Sequence, residues 1–479
     1  MRAPALTAAR PAAAPALTGA PLWIGGTAAS AALLGALLAE RGALLVLGAL
    51  VLVAGALAAA LVPRHALVGA AAVIPAISGL DRGLLIPGLR LSEALTVAIC
   101  GPLILQAHRR WSRIEWAAAA YVAATAALCL FNLWRRDATP TADDLGTIAG
   151  PAQFFLLLRA ASLWATTREL RERVVVALAL GTVPVALLAL AQAFQVGPAV
   201  DWMVSLTGSD WRRIFARDDL VRATGPFPHW QVLAGYLMVT GLLTAAAALR
   251  WPRRRALLVA VLALQTAALL RSATIGATLG LLAGGAALVV LSGALRRRGG
   301  LLPVVAAGVA CVPLLLPVLA SRLEQQFGRE REDDRFSWLP QTLADRAQIW
   351  QDDYLPVLDG RWTLGYGPDI PPEVTWQFTE SVYVTLALRG GLVLIAAYLA
   401  YMAVLWLDAR RLRGSDPVLA DAVPVIVAAL LVTQTIATYF TGSGTPHVVW
   451  LVAGLVVAAL YDGASRPCPS PPSSPPSPS

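Results

Sequence analysis

The chain has 479 residues, of which 57% are hydrophobic and only 14% charged, and its mean hydropathy is +0.65. That balance excludes an ordinary soluble globular domain. The formal charge is +9 and all 38 basic side chains are Arg, but they cluster between apolar runs, which marks membrane topology rather than nucleic acid binding.

A hydrocarbon core of about 30 Å needs about 20 mostly apolar residues to cross it as a helix. Taken from the N-terminus, runs of that kind predict spans at 23–39, 43–62, 66–80, 92–107, 114–134, 147–164 and 174–195. Further runs follow at 229–249, 256–270, 272–293, 301–319, 381–407, 421–440 and 446–461. Residues 1–22 are broken by proline and too weakly apolar for a signal peptide, so a cytoplasmic N-terminal segment is expected, with the first span as an uncleaved signal. Alternating from there puts nearly every short Arg cluster inside. Examples are Arg109, Arg110 and Arg113; Arg168, Arg171 and Arg173; and Arg410, Arg411 and Arg413. The expectation is an all-α polytopic protein of the plasma membrane with about 12–14 transmembrane helices and both termini cytoplasmic. From Gly463 the chain is Pro/Ser low complexity, read as a disordered tail over 463–479.

Two long connections face outward under this topology: residues 195–229, within the helical block 23–320, and residues 321–380, ahead of the C-terminal spans at 381–462. Long loops translocate regardless of charge, so their Arg residues are not explained by orientation. A loop of about 60 residues in a protein that could use short turns calls for a functional reason.

The first loop closes on "RATGPFPHW", Arg222 to Trp230, which sets a guanidinium near the start of a helix, a place suited to phosphate oxygens. The competing reading is an interfacial anchor, with Trp230 and Tyr236 in the aromatic belt. His229 belongs to the same stretch. Arg271 sits in the short connection "LLRSATIGATLG", where a charge between apolar helices is either functional or snorkelling to the interface. The large loop supplies Arg346, Trp350 and Tyr366 of the "LGYG" turn. Glu380 and Arg389 then bracket the outer half of the next span. A Glu at a membrane surface can act as a general base, and at a helix start it can equally be a dipole-stabilising cap.

Arg329 to Asp334, "REREDD", carries alternating charge of the kind found on solvated faces, and no metal site is expected there or elsewhere. Cys100, Cys129, Cys311 and Cys468 have no ligand or disulfide spacing and read as packing residues. His65 and His108 fall on cytoplasmic connections, and His229 and His447 near the outer face. No cofactor is indicated.

Three stretches in order, "RATGPFPHW", "RSATIGATLG" and "RAQIW…LGYG…TESVYVTLALRGGL", resemble the O-antigen ligase and polymerase family of bacterial membrane glycosyltransferases. The resemblance covers about Arg222 to Tyr401; the N-terminal third matches only as a series of membrane helices. It implies a GT-C-like fold and transfer of a glycan from an undecaprenyl-pyrophosphate carrier to a glycan or other surface acceptor at the outer face. It also implies that Arg222 and Arg271 bind the pyrophosphate, with Arg346 in support. Many members of the family carry His-Asn where this chain has Glu380-Ser381, so Glu380 inherits the candidate base role; Trp230-Gln231 likewise stands where Pro-Asn is common. The alternatives are a polytopic transporter or lipid-linked glycan flippase, which would usually show matching halves and broken midplane helices, and a noncatalytic scaffold.

Overall fold

The computed structural model describes residues 43–82, 89–208, 221–293, 339–375, 378–440 and 443–464, with the single positions 320 and 324. The expected spans 23–39 and 301–319, the stretch Arg329 to Asp334, Cys311, Cys468 and the 465–479 tail lie outside the described residues. The chain divides into two compact units, 1–51 and 52–479, and the second carries the helical bundle.

The apolar runs fold as helices: α1 Ala43–Leu61, α2 Pro63–Ile77, α3 Leu91–Leu105, α4 Arg113–Arg135, α5 Ala142–Trp164 and α6 Arg168–Ala193. A short α7, Ala199–Thr207, interrupts the first long connection. Next come α8 Trp230–Arg250, α9 Arg255–Arg271 and α10 Ile275–Leu291. The large loop contains α11 Gln341–Ile349, a π-helical turn at Trp350–Tyr354 and α12 Leu355–Leu358. Three helices close the chain: α13 Val382–Arg410, α14 Pro417–Thr433 and α15 Thr445–Ala464. Five of the described helices, α4, α6, α8, α13 and α15, are long and apolar enough to cross a membrane, and five shorter apolar helices accompany them. The described residues form an all-helical architecture suited to a membrane, because each helix satisfies its own backbone hydrogen bonds.

The helix starts are written in the sequence. Ser112 and Thr141 form capping boxes with Glu115 and Asp144, and Asp416 caps α14 ahead of Pro417. The run expected at 421–440 ends as a helix at Thr433. The chain then turns, and the Gln434 carbonyl accepts the backbone N–H of Val382 at 3.1 Å, tying it to the first turn of α13.

The central element is α8, surrounded by protein along almost its whole length and packed against α9, α10, α14 and α6. Its small residues permit that approach: a Cβ on Gly235 would stand 2.7 Å from the Tyr439 ring. Around it, α13 lies along α4 and α15 along α5. Tyr121, Tyr398, Phe440 and the fully buried Trp450 fill the space where these helices meet.

One helix is broken. Within α13, Gly390 and Gly391 leave helical geometry, with φ of −161° and +63°. The large loop docks on the break through its backbone: Leu392 N–H donates to the Trp362 carbonyl at 2.8 Å and Tyr366 N–H to the Leu388 carbonyl at 2.6 Å. A Cβ on Gly391 would lie 2.3 Å from the Thr363 backbone, so only glycine allows this contact. Asn132 and Arg136 at the end of α4 hold the same loop, through the Leu364 carbonyl at 2.7 Å and Asp369 at 2.6 Å.

Candidate functional site

The segment "RATGPFPHW" is pinned by its neighbours. Gln192 on α6 accepts the N–H groups of Thr224 at 2.8 Å and Gly225 at 3.0 Å, and Gly225 has φ +55°. Ala223 N–H donates to the carbonyl of Arg271 at 3.0 Å, which fastens the end of α9 beside Arg222. His229 is the N-cap of α8, its Nδ1 accepting the Gln231 N–H at 3.2 Å, and its ring lies 3.9 Å from that of Trp230. Turn, cap and helix end thus form one rigid platform.

The two guanidinium groups on this platform have no acidic partner among the described residues. Arg222 lies over the Trp230 indole at 4.5 Å, a cation–π contact that leaves its N–H fork without a hydrogen bond among the described residues. Arg271 donates to the Ala193 carbonyl at 3.1 Å and packs on Phe194, while its Nε is buried without a hydrogen bond. A buried donor with no acceptor costs stability.

Glu380 meets this platform from the large loop. Gln231 Nε2 donates to its Oε2 at 2.8 Å and Arg346 Nη2 donates to the same oxygen at 3.1 Å. Among the described residues no hydrogen bond engages Oε1. The Glu380 and Arg346 side chains are only 16% and 17% exposed. Glu380 has φ +54°, a left-handed conformation that non-glycine residues adopt rarely and that recurs at functional sites. Adjacent residues hold it there: Trp350 Nε1 donates to the Thr379 carbonyl at 2.7 Å, and the Ser381 hydroxyl to the Gln434 carbonyl at 3.3 Å. Trp350 opens the π-helical turn, a distortion frequent at functional sites. Below it, burial, Asp353 and Glu380 all push the Tyr354 phenol well above its ordinary pKa, so it stays protonated.

Six of the eight residues singled out from sequence therefore form one linked cluster: Arg222, His229, Arg271, Arg346, Trp350 and Glu380. The other two lie elsewhere. Tyr366 stacks under the guanidinium of Arg136 at 4.0 Å and anchors the docked loop. Arg389 lines a separate polar cavity with Arg90 and His447. Gln231 is the member that reading the sequence did not single out as a site residue. The signal present was its position directly after the Arg-to-Trp turn, at the start of an otherwise apolar helix.

The cluster can do two things chemically. It can neutralise an anionic group with Arg222 and Arg271, and it can take a proton or a hydrogen bond on the open oxygen of Glu380. No group of three or more His, Cys, Asp or Glu side chains able to hold a metal occurs among the described residues. No protein-family model matches this chain, and no curated protein matches it.

Proposed function

We propose that this chain is an O-antigen ligase/polymerase-like membrane glycosyltransferase of GT-C-like fold. It moves an oligosaccharide from an undecaprenyl-pyrophosphate carrier to an acceptor at the outer face of the plasma membrane, in cell-surface polysaccharide synthesis. The observation that supports this best is the division of labour within Glu380. Among the described residues both of its hydrogen bonds fall on Oε2, which fixes the carboxylate and leaves Oε1 for a substrate. Two guanidiniums without acidic partners among the described residues share its end of the bundle.

Sugar nucleotides are confined to the cytoplasm, so an outward site needs a donor activated on a lipid. In the step proposed, the acceptor hydroxyl oxygen attacks the anomeric carbon of the donor sugar. The bond from that carbon to the phosphate oxygen breaks, and its electron pair leaves with the lipid pyrophosphate. The hydroxyl proton passes to Glu380 Oε1. Arg222 and Arg271 neutralise the charge that grows on the leaving group; preorganised donors of this kind are worth about 10²–10³ in rate each. A positioned base contributes about 10²–10⁴. Arg346 and Gln231 keep the carboxylate aimed.

The test is the glycan length distribution in cells carrying the wild type, Arg222→Ala, Arg271→Ala or Glu380→Gln at matched membrane levels. Loss of long chains with build-up of lipid-linked single repeats in all three variants is the result expected of a polymerase. Normal length without attachment to the final carrier is the result expected of a ligase. Unchanged glycans in every variant would sink the transferase reading and favour transport instead.

A further inference from the structure

A second polar site lies at the same end of the bundle as Glu380. It is a cavity of about 270 Å³ among the N-terminal ends of α3, α5 and α15, the middle of α4 and the broken α13. A water takes up about 30 Å³ of liquid, so the space suits one sugar-sized group and not a whole oligosaccharide.

Its charges do not balance. Arg82 donates to Glu93 at 3.0 Å, and Glu93 also accepts the backbone N–H of Arg90 at 3.0 Å, so Glu93 is already engaged. Asp143 stands 3.6 Å from Arg82, with its side chain 98% exposed and therefore well hydrated. Arg90 donates to the Ser443 hydroxyl at 3.2 Å and has no ion pair among the described residues. Burial and the neighbouring Arg82 charge hold its pKa below the ordinary value, against the pull of Glu93, Asp81 and Asp143. Arg389, set at the end of the first segment of α13 by the Gly390–Gly391 break, makes neither a side-chain hydrogen bond nor an ion pair among the described residues. Unpaired guanidiniums in a partly enclosed site are costly and call for an anion.

The uncharged lining asks for something else. His447 is 2% exposed and neither ring nitrogen has a hydrogen-bond partner among the described residues, although Phe154 fixes the ring edge-on at 4.8 Å. Gln153 Oε1 is buried without a donor among the described residues. An amide oxygen can only accept, and a neutral imidazole needs one donor and one acceptor. The several hydroxyl groups of a polyol satisfy both requirements at two separate positions while an anionic group occupies a third, which the small inorganic phosphate cannot span.

We propose that this cavity binds a hydroxylated oxyanion the size of a sugar phosphate or sugar acid, with Arg90 and Arg389 on its anionic group and Gln153 and His447 on its hydroxyls. The assignment does not depend on the transferase reading, because it concerns binding without turnover at residues outside the Glu380 cluster.

The test is isothermal titration calorimetry of the full chain in detergent, in an Arg222→Gln, Arg271→Gln background that removes the other cationic pair. The probes are glucose 1-phosphate, glycerol 1-phosphate and glucuronate, with inorganic phosphate and glucose as controls. At least one hydroxylated anion is expected to bind at a single saturable site, at least tenfold tighter than inorganic phosphate, with no measurable binding of glucose. Adding Arg389→Gln or Arg90→Gln should weaken it at least tenfold, whereas Arg389→Lys should retain most of it. Gln153→Leu should weaken the hydroxylated probes and leave inorganic phosphate unaffected, which separates loss of the site from loss of fold. A preference for glycerol 1-phosphate would point to a lipid headgroup as the natural source, and one for glucose 1-phosphate or glucuronate to a glycan; either supports the site. No saturable binding of any probe, or affinity unchanged by Arg389→Gln and Arg90→Gln, would overturn it.

Discussion

The two ends of the helical bundle differ in how they hold their less exposed arginines. At the end away from Glu380, the guanidiniums of Arg159, Arg171 and Arg250 are matched to acids. Arg171, 2% exposed, lies between Asp416 at 3.0 Å and Asp462 at 3.1 Å. Arg159 meets Glu115 at 2.6 Å, and Arg250 Nε meets Asp421 at 2.9 Å. At the Glu380 end, Arg82, Arg136 and Arg346 are paired with acids, but Arg90, Arg222, Arg271 and Arg389 have no acidic partner among the described residues, and aromatic rings or carbonyls hold Arg222 and Arg271 in place. A buried pair broken on one side leaves an uncompensated charge, so the first end is arranged for integrity. The other end keeps four guanidiniums without acids among the described residues, the arrangement on which the proposed anion binding rests.

The contrast can be broken by mutation. Arg171→Ala should lose about 3–5 kcal/mol of stability, read by thermal unfolding in detergent, because it strands two acids; a loss below 1 kcal/mol would erase the distinction. Arg222→Ala should leave unfolding within about 0.5 kcal/mol of wild type while cutting glycan transfer by about 10²–10³. Equal losses of stability and turnover would make Arg222 a structural residue. Arg346→Gln tests the intermediate case, the one guanidinium of the Glu380 cluster that does have an acid. It should cost about 1 kcal/mol in unfolding and about tenfold in transfer, since a hydrogen bond to a charged group is worth about 1.5–3 kcal/mol before the Gln231 contact compensates. The smallest effect is expected at Arg173, paired with Glu169 one helical turn away, where both side chains are more than half exposed. Arg173→Ala should shift stability by no more than about 0.5 kcal/mol.

Much of the fold was legible because long apolar runs and capping residues are local signals. Ser112 with Glu115, and Thr141 with Asp144, announce their helix starts within four residues. The acid partners of the arginines were not legible. Arg171 and Asp416 are 245 positions apart, and only the packing of α6, α14 and α15 brings them together. The same holds for the cavity. Arg82 and Arg90 lie between the spans expected at 66–80 and 92–107, and no local signal relates them to His447 before α3, α5 and α15 are assembled. Of the candidate site, the Arg residues and Glu380 stood out as charges near apolar helix ends. The left-handed turn at Glu380 and the use of Gln231 as its clamp depend on tertiary contacts with no local signature. The early end of α14 was likewise hidden, because residues 434–440 are apolar enough to continue a helix and turn away only when Gln434 meets α13.

The docking of the large loop onto the break in α13 bears on how such a protein could be rebuilt from parts. Loop and helix share backbone hydrogen bonds on both sides of Gly391, from Tyr366 to Leu388 and from Leu392 to Trp362. The domain boundary seen in a hydropathy trace, at residue 381, is therefore not a structural boundary. A chimera that grafts a foreign loop at that point would cut through a shared backbone joint and leave both halves with orphaned donors. A splice that carries the graft from about residue 339 through residue 393 would transfer the loop, the break and Arg389 as one exchangeable module.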